Sequence, residues 1–322
     1  MPDLTLVVVG DPAASHMQLL KQLPDQVRVI VSRDPDELKA VLPKADLLLN
    51  GGFFNSVFKQ VFPFATQLQW IHNMSTGVEG ILSPEILAST VPLTNGRGVF
   101  SSILAEFVVA SMRDFAKDFR RMIRNQTAGR WSQFDIMPVK GATLAIVGYG
   151  DIGRASAKLA SALGMQVVAL RRHASKSADD PQLSAVYTHE RLHEMLSRCD
   201  YLLVAAPHTP ETHGMIGEAE LNALKNDAVV INVGRGPIID ESALVRVLKE
   251  NRIKGAALDV FDREPLPEGH PFYQLENVLL SPHCADHVPG WEHDAMKKFI
   301  ENFQHFWNRE PLINVVDRKA GY

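Results

Sequence analysis

Three polar residues that could carry acid–base and anion-binding chemistry each follow a short apolar run late in the chain. They are Arg235, Glu264 and His283, which come after the runs at 228–232, 256–259 and 278–281. Histidine can donate a proton near neutral pH, and a neighbouring carboxylate favours its protonated form and orients the ring. Arginine presents a fork of donors that matches a carboxylate or a carbonyl oxygen. Together they could donate a proton and bind an anion at one site, although each alone also fits a surface charge or a hydrogen-bonded core histidine.

The segment at 148–153 fits the G-x-G-x-x-G pattern of a phosphate-binding loop. It follows the apolar run Leu144–Val147 and precedes a predicted helix at Arg154–Leu163, and a further apolar run begins at Val167. In such a βαβ unit the glycines provide a tight turn, close approach of a pyrophosphate and close helix–strand packing. The helix N-terminus adds N–H groups and a positive dipole end. The context predicts a dinucleotide site formed by Gly148, Tyr149, Gly150, Asp151, Ile152 and Gly153.

The end of the next apolar run selects between the two nicotinamide cofactors. NAD sites usually carry an acid there, about 20 residues past the loop, which binds the ribose 2′-hydroxyl. Here the run ends with Arg171 and Arg172. An arginine attracts a 2′-phosphate and can bind it with two hydrogen bonds. The sequence therefore predicts a preference for NADP(H), with NAD(H) possible; the other interpretation is a solvated basic strand end.

The elements that position these residues form two successive βα series. Short, continuous apolar runs alternate with helix-like stretches over residues 1–100, as expected for parallel strands buried on both faces. A single long amphipathic helix is predicted over Ser101–Arg124, followed by the second series. A last helix at Trp291–Trp307 has a large apolar face that we expect to pack on the first domain. We therefore predict one domain of residues 1–100 and 288–322, a second of 101–287, and a cleft between them.

In order and spacing, these motifs resemble the D-isomer-specific 2-hydroxyacid dehydrogenase family over nearly the whole chain. The matching pieces are Ser75–Gly80, Ala105-Glu106, the glycine loop, Asn232–Gly236, Leu258–Leu266 and Ser281–His283. The resemblance implies an α/β fold with a flavodoxin-like substrate domain and a Rossmann cofactor domain. It implies that Arg235, Glu264 and His283 are catalytic, and that Asp259 grips the nicotinamide carboxamide.

The resemblance also implies the rest of the site. The backbone N–H groups of Ser75, Thr76 and Gly77 would hold the substrate carboxylate, together with Arg235 and His283. Further cofactor-binding residues would be Ala206, Pro207, Thr212, Val233, Gly234, Asp259 and Ala285. The chain departs from the family at Arg171 and in the polar segment Cys284–His287. Asp286 in that segment could cap a helix start or narrow the range of substrates.

Bulk properties exclude several other classes of function. The chain has 322 residues, of which 46% are hydrophobic and 22% charged, with a net charge of −4. Such a composition argues against nucleic-acid or membrane-surface partners. Cys199 and Cys284 have neither disulfide nor metal-ligand spacing, so we expect reduced thiols, no metal site and a cytoplasmic location. Neither a signal peptide nor a membrane span is predicted.

The leading hypothesis is an NADPH-preferring reductase of small 2-keto acids such as glyoxylate or hydroxypyruvate. One alternative is an NAD-dependent dehydrogenase of the 3-phosphoglycerate type, for which the usual long tail is missing. A second is a nicotinamide-sensing binding protein of the same fold, because fold does not fix function. From the resemblance we also expect a homodimer, formed through the 101–124 helix and the segment around Trp131.

Overall fold

The computed structural model describes residues 3–172, 177, 179–318 and 321. The chain forms two compact units, one of residues 1–99 and 288–322 and the other of residues 100–287. Each unit is built from parallel strands that alternate with helices. This confirms the predicted fold class of two βα-wound domains.

The first unit contains a five-stranded parallel sheet in the order β2-β1-β3-β4-β5. This is the strand order of flavodoxin-like folds, in which ligands bind beyond the carboxyl ends of the strands. Its strands are β1 Leu4–Val9, β2 Val27–Ser32, β3 Leu47–Asn50, β4 Trp70–Asn73 and β5 Leu93–Asn95. The connections include a 3-10 helix at Ser15–Gln22, short 3-10 segments at Leu42–Lys44 and Phe62–Phe64, and helices α1 Pro35–Val41, α2 Asn55–Val61 and α3 Pro84–Ala88.

The second unit contains a seven-stranded parallel sheet in the order β12-β11-β10-β9-β6-β7-β8. Counted from its first strand, this is the Rossmann order with one strand added at an edge. Its strands are β6 Thr143–Val147, β7 Gln166–Leu170, β8 Ala185–Tyr187, β9 Tyr201–Val204, β10 Val229–Asn232, β11 Gly255–Leu258 and β12 Val278–Leu280. Its helices are α4 Ser101–Lys117, α5 Phe119–Thr127, α6 Asp151–Ala162, α7 Leu192–Leu196, α8 Glu218–Ala223 and α9 Glu241–Lys249, with 3-10 segments at His189–Arg191, Gly236–Ile238 and Pro271–Gln274.

The prediction of one continuous helix over Ser101–Arg124 is wrong. The chain breaks at Asp118, which adopts a left-handed conformation with φ of 50°. Its carboxylate then accepts a hydrogen bond from the N–H of Arg121 at 3.2 Å and caps α5. Aspartate tolerates this conformation better than most residues because its short side chain bonds locally. After the break the apolar stripe leaves the core, so Phe119 and Met122 are 41% and 40% exposed.

The C-terminal helix α10 spans Trp291–Trp307, as predicted, and lies in the first unit. Its buried face includes Phe299, whose ring stacks on Trp70 with 5.3 Å between centroids, and Phe303. The apolar face thus completes the core that covers one side of the five-stranded sheet. Within the part of the chain that the structure describes, no helix combines the length and apolar character needed to cross a bilayer.

His72 in β4 is a buried titratable group inside this core. Its Nδ1 lies 2.7 Å from Oγ1 of Thr94, and aromatic rings of Trp70 and Phe299 pack beside it. The Nε2 atom is buried without a hydrogen-bond partner among the described residues. Burial lowers the pKa of His72 to about 3. The folded protein therefore holds a neutral imidazole at this position.

This burial predicts a pH-dependent stability of the first unit. Between the ordinary pKa of 6.5 and the folded value of about 3, the unfolded chain binds a proton at His72 that the folded chain does not. The contribution of His72 to the free energy of unfolding is therefore fully present above pH 6.5. As the pH falls below that value, the contribution decreases by about 1.4 kcal/mol per pH unit. His72→Leu should reduce that slope. Urea unfolding followed by tryptophan fluorescence measures it, because Trp70, Trp291 and Trp307 lie in this unit.

The control is His189→Gln, which changes an exposed histidine of the other unit. It should leave the slope unchanged. Other groups that titrate in the same interval contribute equally to the unmodified protein and to both variants. An identical slope for the unmodified protein and His72→Leu would contradict the prediction.

Candidate functional site

The first two glycines in the turn between β6 and α6 have different surroundings. Gly148 has φ of 94°, and a Cβ atom there would lie 2.4 Å from the backbone nitrogen of Ala206. A Cβ atom on Gly150 would meet nothing within 4 Å. The N–H groups of Ile152 and Gly153 lie in the first turn of α6, where amides have no acceptor within the helix. The loop therefore offers open space beside backbone donors, a cradle that fits the pyrophosphate of a dinucleotide.

Two arginines lie beside the ring of Tyr149: Arg171, which follows β7, and Arg154 in α6. Arg171 donates from Nη1 to the Tyr149 carbonyl oxygen at 3.1 Å and to Oγ of Ser177 at 2.6 Å. Arg154 lies 5.1 Å from the centre of the same ring and pairs with Asp180 at 2.9 Å. Burial, and then the charge of Arg154, lower the pKa of Arg171. Arg154 is not among the residues predicted from the sequence, although its position directly after the glycine loop could have indicated it.

The loop after β9 borders this basic group. Arg172 lies 3.7 Å from the Glu211 carboxylate, and both side chains are exposed. Thr212 donates from its hydroxyl to the carbonyl oxygen of Pro207 at 2.7 Å, which closes the loop on itself. Three arginines therefore meet two acids, Asp180 and Glu211, so the end of β7 has an excess of positive charge. His173, the next residue, lies outside the described residues.

The loop after β10 carries Arg235 and is fixed by the strand's last residue. Asn232 accepts from the N–H of Gly234 at 3.0 Å and donates to the carbonyl oxygen of Arg235 at 3.1 Å. The Arg235 guanidinium in turn donates to the Gly234 carbonyl oxygen at 2.8 Å. A Cβ atom on Gly236 would lie 1.9 Å from the carbonyl carbon of Phe261, so the loops after β10 and β11 touch through their backbones.

Glu264 and His283 form a close pair at the same edge of the sheet. Oε2 of Glu264 lies 2.6 Å from Nδ1 of His283, and Oε1 accepts from the N–H of Phe261 at 2.9 Å. Among the described residues no protein group binds Nε2 of His283. The ring is partly exposed, and its backbone is left-handed with φ of 51°. Such a conformation costs free energy in a non-glycine residue and is typical of functional sites. The arrangement can hold the imidazole with Nδ1 on a carboxylate and Nε2 facing a ligand.

Asp259 fixes the loop that carries His283. It is buried directly after β11, and its Oδ1 accepts from Oγ of Ser281 at 2.5 Å and from the N–H groups of Cys284 and Ala285 at 3.0 Å each. These bonds hold the chain on both sides of His283. From the sequence, Asp259 is predicted to contact only the cofactor. Its role in fixing the His283 loop could not be predicted from residue spacing.

Asp286 does not cap a helix, so that interpretation is wrong. Helix α10 begins at Trp291 with Gly290 as its N-cap. Burial, and then the neighbouring Asp259 carboxylate, raise the pKa of Asp286. Its carboxylate lies 4.0 Å from Nε2 of His287. The chain therefore keeps an additional acid three residues after His283.

The structure places the remaining predicted residues at two sheet edges. Val233 and Gly234 follow β10, Ala206 follows β9, and Ala285 lies in the loop after β12, so all belong to the edge that carries the glycine loop. Ser75, Thr76 and Gly77 follow β4 at the carboxyl edge of the first unit's sheet. Fifteen candidate cofactor residues and three candidate catalytic residues thus share one edge of the second unit. They are Gly148, Tyr149, Gly150, Asp151, Ile152, Gly153, Arg171, Arg172, Ala206, Pro207, Thr212, Val233, Gly234, Asp259 and Ala285, with Arg235, Glu264 and His283.

Comparisons with known proteins agree with this arrangement. A family model described as D-isomer specific 2-hydroxyacid dehydrogenase, NAD binding domain, matches residues 109–285. The chain is 32% identical over 307 residues to a glyoxylate reductase of Korarchaeum cryptofilum, which spans 93% of this chain and 88% of that protein. It is 29% identical over 316 residues to a D-3-phosphoglycerate dehydrogenase of Methanocaldococcus jannaschii. That alignment covers 97% of this chain and 59% of the dehydrogenase. A solved D-isomer specific 2-hydroxyacid dehydrogenase from Xanthobacter autotrophicus Py2, in complex with NADPH and MES, superposes with a TM-score of 0.82 at 27% identity and covers 99% of this chain and 100% of that one.

The two glycines of the loop should respond differently to the same small change. Gly148→Ala should destabilise the second unit, because its Cβ atom would clash with the backbone at Ala206 in a left-handed conformation. Gly150→Ala has space and a φ of −88°, so it should fold normally. Its methyl group would fill the cradle and should weaken NADPH binding about tenfold or more. Thermal unfolding and NADPH titration separate the effects. Unchanged NADPH affinity in Gly150→Ala would show that the cradle lies elsewhere.

Proposed function

Because the chain belongs to the D-isomer-specific 2-hydroxyacid dehydrogenase family, we propose that it reduces small 2-keto acids such as glyoxylate or hydroxypyruvate, with NADPH as the preferred reductant. Membership makes it an NAD(P)-dependent oxidoreductase of D-2-hydroxy acids. The observation that carries the proposal is the Glu264–His283 pair, 2.6 Å apart, on the sheet edge that also carries the glycine loop. The glyoxylate reductase relative supports the choice of substrate.

In the proposed reaction His283 is the acid. When bound, NADPH would supply a hydride to the carbonyl carbon. His283 would give its proton to the carbonyl oxygen, so that the carbonyl group becomes a hydroxyl. Glu264 holds the ring through Nδ1 and stabilises its positive charge before the transfer. Arg235 lies two strands away and would bind the substrate carboxylate or polarise the carbonyl oxygen with its fork of donors.

The cofactor proposal rests on the basic group around Tyr149. The glycine loop and the start of α6 would hold the pyrophosphate, and Arg171, with Arg172 and Arg154 nearby, would attract a 2′-phosphate. The related Xanthobacter structure contains NADPH, which supports this preference. We assign the cofactor to the second unit and the substrate carboxylate to the N–H groups of Ser75, Thr76 and Gly77 in the first.

The alternative of an NAD-dependent 3-phosphoglycerate-type dehydrogenase has one similar relative in its favour. It has less support, because Arg171 stands where an acid would bind the 2′-hydroxyl of NAD. A nicotinamide-sensing binding protein would show cofactor affinity without turnover. A panel of keto acids assayed with NADPH and with NADH distinguishes all three.

We also propose a homodimer. Phe119, Met122, Ile123 and Trp131 are exposed close together in sequence, and Trp131 is 95% exposed. Exposed apolar residues of this kind often mark a surface for another chain, and two-fold pairs are the commonest soluble assembly. A cytoplasmic location stays a prediction from the sequence.

Replacing Arg171 should change the choice of cofactor. Arg171→Asp removes a charge-assisted partner of the 2′-phosphate and offers an acceptor for a 2′-hydroxyl, so kcat/KM should fall roughly ten- to a hundredfold for NADPH and rise for NADH. Steady-state kinetics with glyoxylate and each cofactor provide the measurement. Arg191→Asp, at an exposed arginine paired with Glu194, is the control and should not alter the ratio. Equal efficiency of the unmodified protein with both cofactors would refute the preference.

Removing the acid should slow reduction while cofactor binding survives. His283→Ala should lower kcat by roughly 10²–10⁴-fold, because the alkoxide then lacks a positioned proton donor. Glu264→Gln replaces the carboxylate that holds the ring through Nδ1, so it should also lower kcat, by less than His283→Ala does. The measurement is kcat with glyoxylate and NADPH, together with the NADPH affinity of each variant.

The matched control is His287→Ala, which removes the exposed histidine of the same loop. It should leave kcat nearly unchanged. Near-normal turnover in His283→Ala would show that another group is the acid, and normal turnover in Glu264→Gln would show that the carboxylate does not position the ring.

A further inference from the structure

We infer that three buried asparagines in the first unit, Asn50, Asn73 and Asn95, are positioning residues that turn backbone N–H groups of the loop after β4 toward the substrate carboxylate. The inference rests on the proposed function, which gives that loop its ligand, a 2-keto acid. Asn73 is the central residue, because its side chain contacts both the asparagine beside it and the loop.

The three asparagines end three adjacent strands. The parallel register pairs Asn50 with Asn73 and Asn73 with Asn95, so they form a row across β3, β4 and β5. All three are buried. Burial of an amide group without hydrogen bonds costs free energy. The Nδ2 group of each asparagine has an acceptor, whereas Oδ1 of Asn50 is buried without a partner among the described residues.

One hydrogen bond joins two asparagines of the row. Asn50 donates from Nδ2 to Oδ1 of Asn55 at 2.9 Å and to Oδ1 of Asn73 at 2.8 Å. With its oxygen occupied in this way, Asn73 can present its Nδ2 only to the other side. Asn50 therefore sets the orientation of the Asn73 amide.

The row binds three successive carbonyl oxygens of the loop. Nδ2 of Asn73 donates to the carbonyl oxygens of Ser75 at 3.0 Å and Gly77 at 2.9 Å. Between them, Nδ2 of Asn95 donates to the carbonyl oxygen of Thr76 at 2.7 Å. Every carbonyl of the segment 75–77 is thus directed to the asparagine row.

Because the peptide bond is planar, fixing these carbonyl groups also fixes the directions of the N–H groups in the same peptide planes. In a trans peptide the N–H points opposite to the C=O of the same plane. The carbonyls of Ser75, Thr76 and Gly77 share their planes with the N–H groups of Thr76, Gly77 and Val78, which must therefore point away from the row. Thr76 and Gly77 are two of the residues whose N–H groups are assigned to the substrate carboxylate, whereas Val78 is buried. Within the described part of the chain, none of these three N–H groups donates to a protein acceptor. Successive N–H groups held in this way form a concavity that binds anions.

Asparagine is the residue that this task requires at position 73. It must accept one hydrogen bond from Asn50 and donate two to the loop, which only a primary amide of this length can do. An aspartate would have no donor for the carbonyls. An alanine would leave the carbonyl oxygen of Gly77 without this partner and that of Ser75 with only the N–H of Gly96, so the loop could then rotate its peptide planes.

The test separates substrate affinity from turnover. Asn73→Ala should raise KM for glyoxylate about tenfold or more, because hydrogen bonds to a charged group are weakened, while kcat changes much less. Binding of oxamate, an unreactive analogue of a 2-keto acid, to the protein saturated with NADPH should weaken by a similar factor. NADPH affinity should not change, since the cofactor is assigned to the other unit.

The matched control is Asn302→Ala. Asn302 is equally buried in the same unit, and it also fixes backbone, donating to the carbonyl oxygen of Ile313 at 2.9 Å and accepting from its N–H at 3.0 Å. It has no bond to the loop, so its loss should reduce stability and leave KM and oxamate affinity unchanged. A second variant, Asn95→Ala, releases only the Thr76 carbonyl and provides the test if Asn73→Ala does not fold.

The outcomes are distinct. Unchanged KM and oxamate affinity in folded Asn73→Ala and Asn95→Ala, or an equal rise in Asn302→Ala, would overturn the positioning role. Failure of the unmodified protein to reduce keto acids or to bind oxamate would instead overturn the proposed function and, with it, the carboxylate as ligand.

Discussion

Parallel strands that are buried on both faces can place polar side chains at low cost only where they end. All strands of a parallel sheet end at the same edge, so this constraint collects polar groups there. In the second unit it collects Asn232, Asp259 and the residues that follow β12. The first unit obeys the same constraint with its row of asparagines. The chemistry of the protein is located where the sheets permit polarity.

Both units also use the same device to shape the loops beyond that edge. A buried polar residue at a strand end bonds the backbone of the loop and leaves the functional groups two to four positions further along the chain. Asn232 fixes the turn before Arg235, and Asn73 fixes Ser75 and Gly77. Asp259 acts across strands, on the loop that carries His283. Backbone bonds of this kind give a loop a defined conformation without a secondary structure of its own.

Hydrogen bonds to the neighbouring residues offset the unfavourable backbone conformation of His283. Its left-handed backbone is unfavourable, but the bonds from Asp259 to Ser281, Cys284 and Ala285 and the pair with Glu264 determine its conformation from several sides. The cofactor edge is different in character, since it depends on open space at Gly150 and on positive charge around Arg171. An acid–base pair held in a fixed geometry and a positively charged cofactor site together suit the transfer of a hydride to an anionic carbonyl compound.

The sequence by itself determined the two βα series, the glycine loop, the C-terminal helix at Trp291–Trp307 and the motif order that indicates the family, because each leaves a local pattern of burial or a fixed spacing. Only the tertiary structure decided the break at Asp118, the role of Asp259 toward the His283 loop and the row formed by Asn50, Asn73 and Asn95. Periodicity records that a residue is buried, but not which partner its polar atoms meet. Those partners lie 23 or more positions away for Asn50 with Asn73 and for Asp259 with Cys284. They become neighbours only when the strands pair in register.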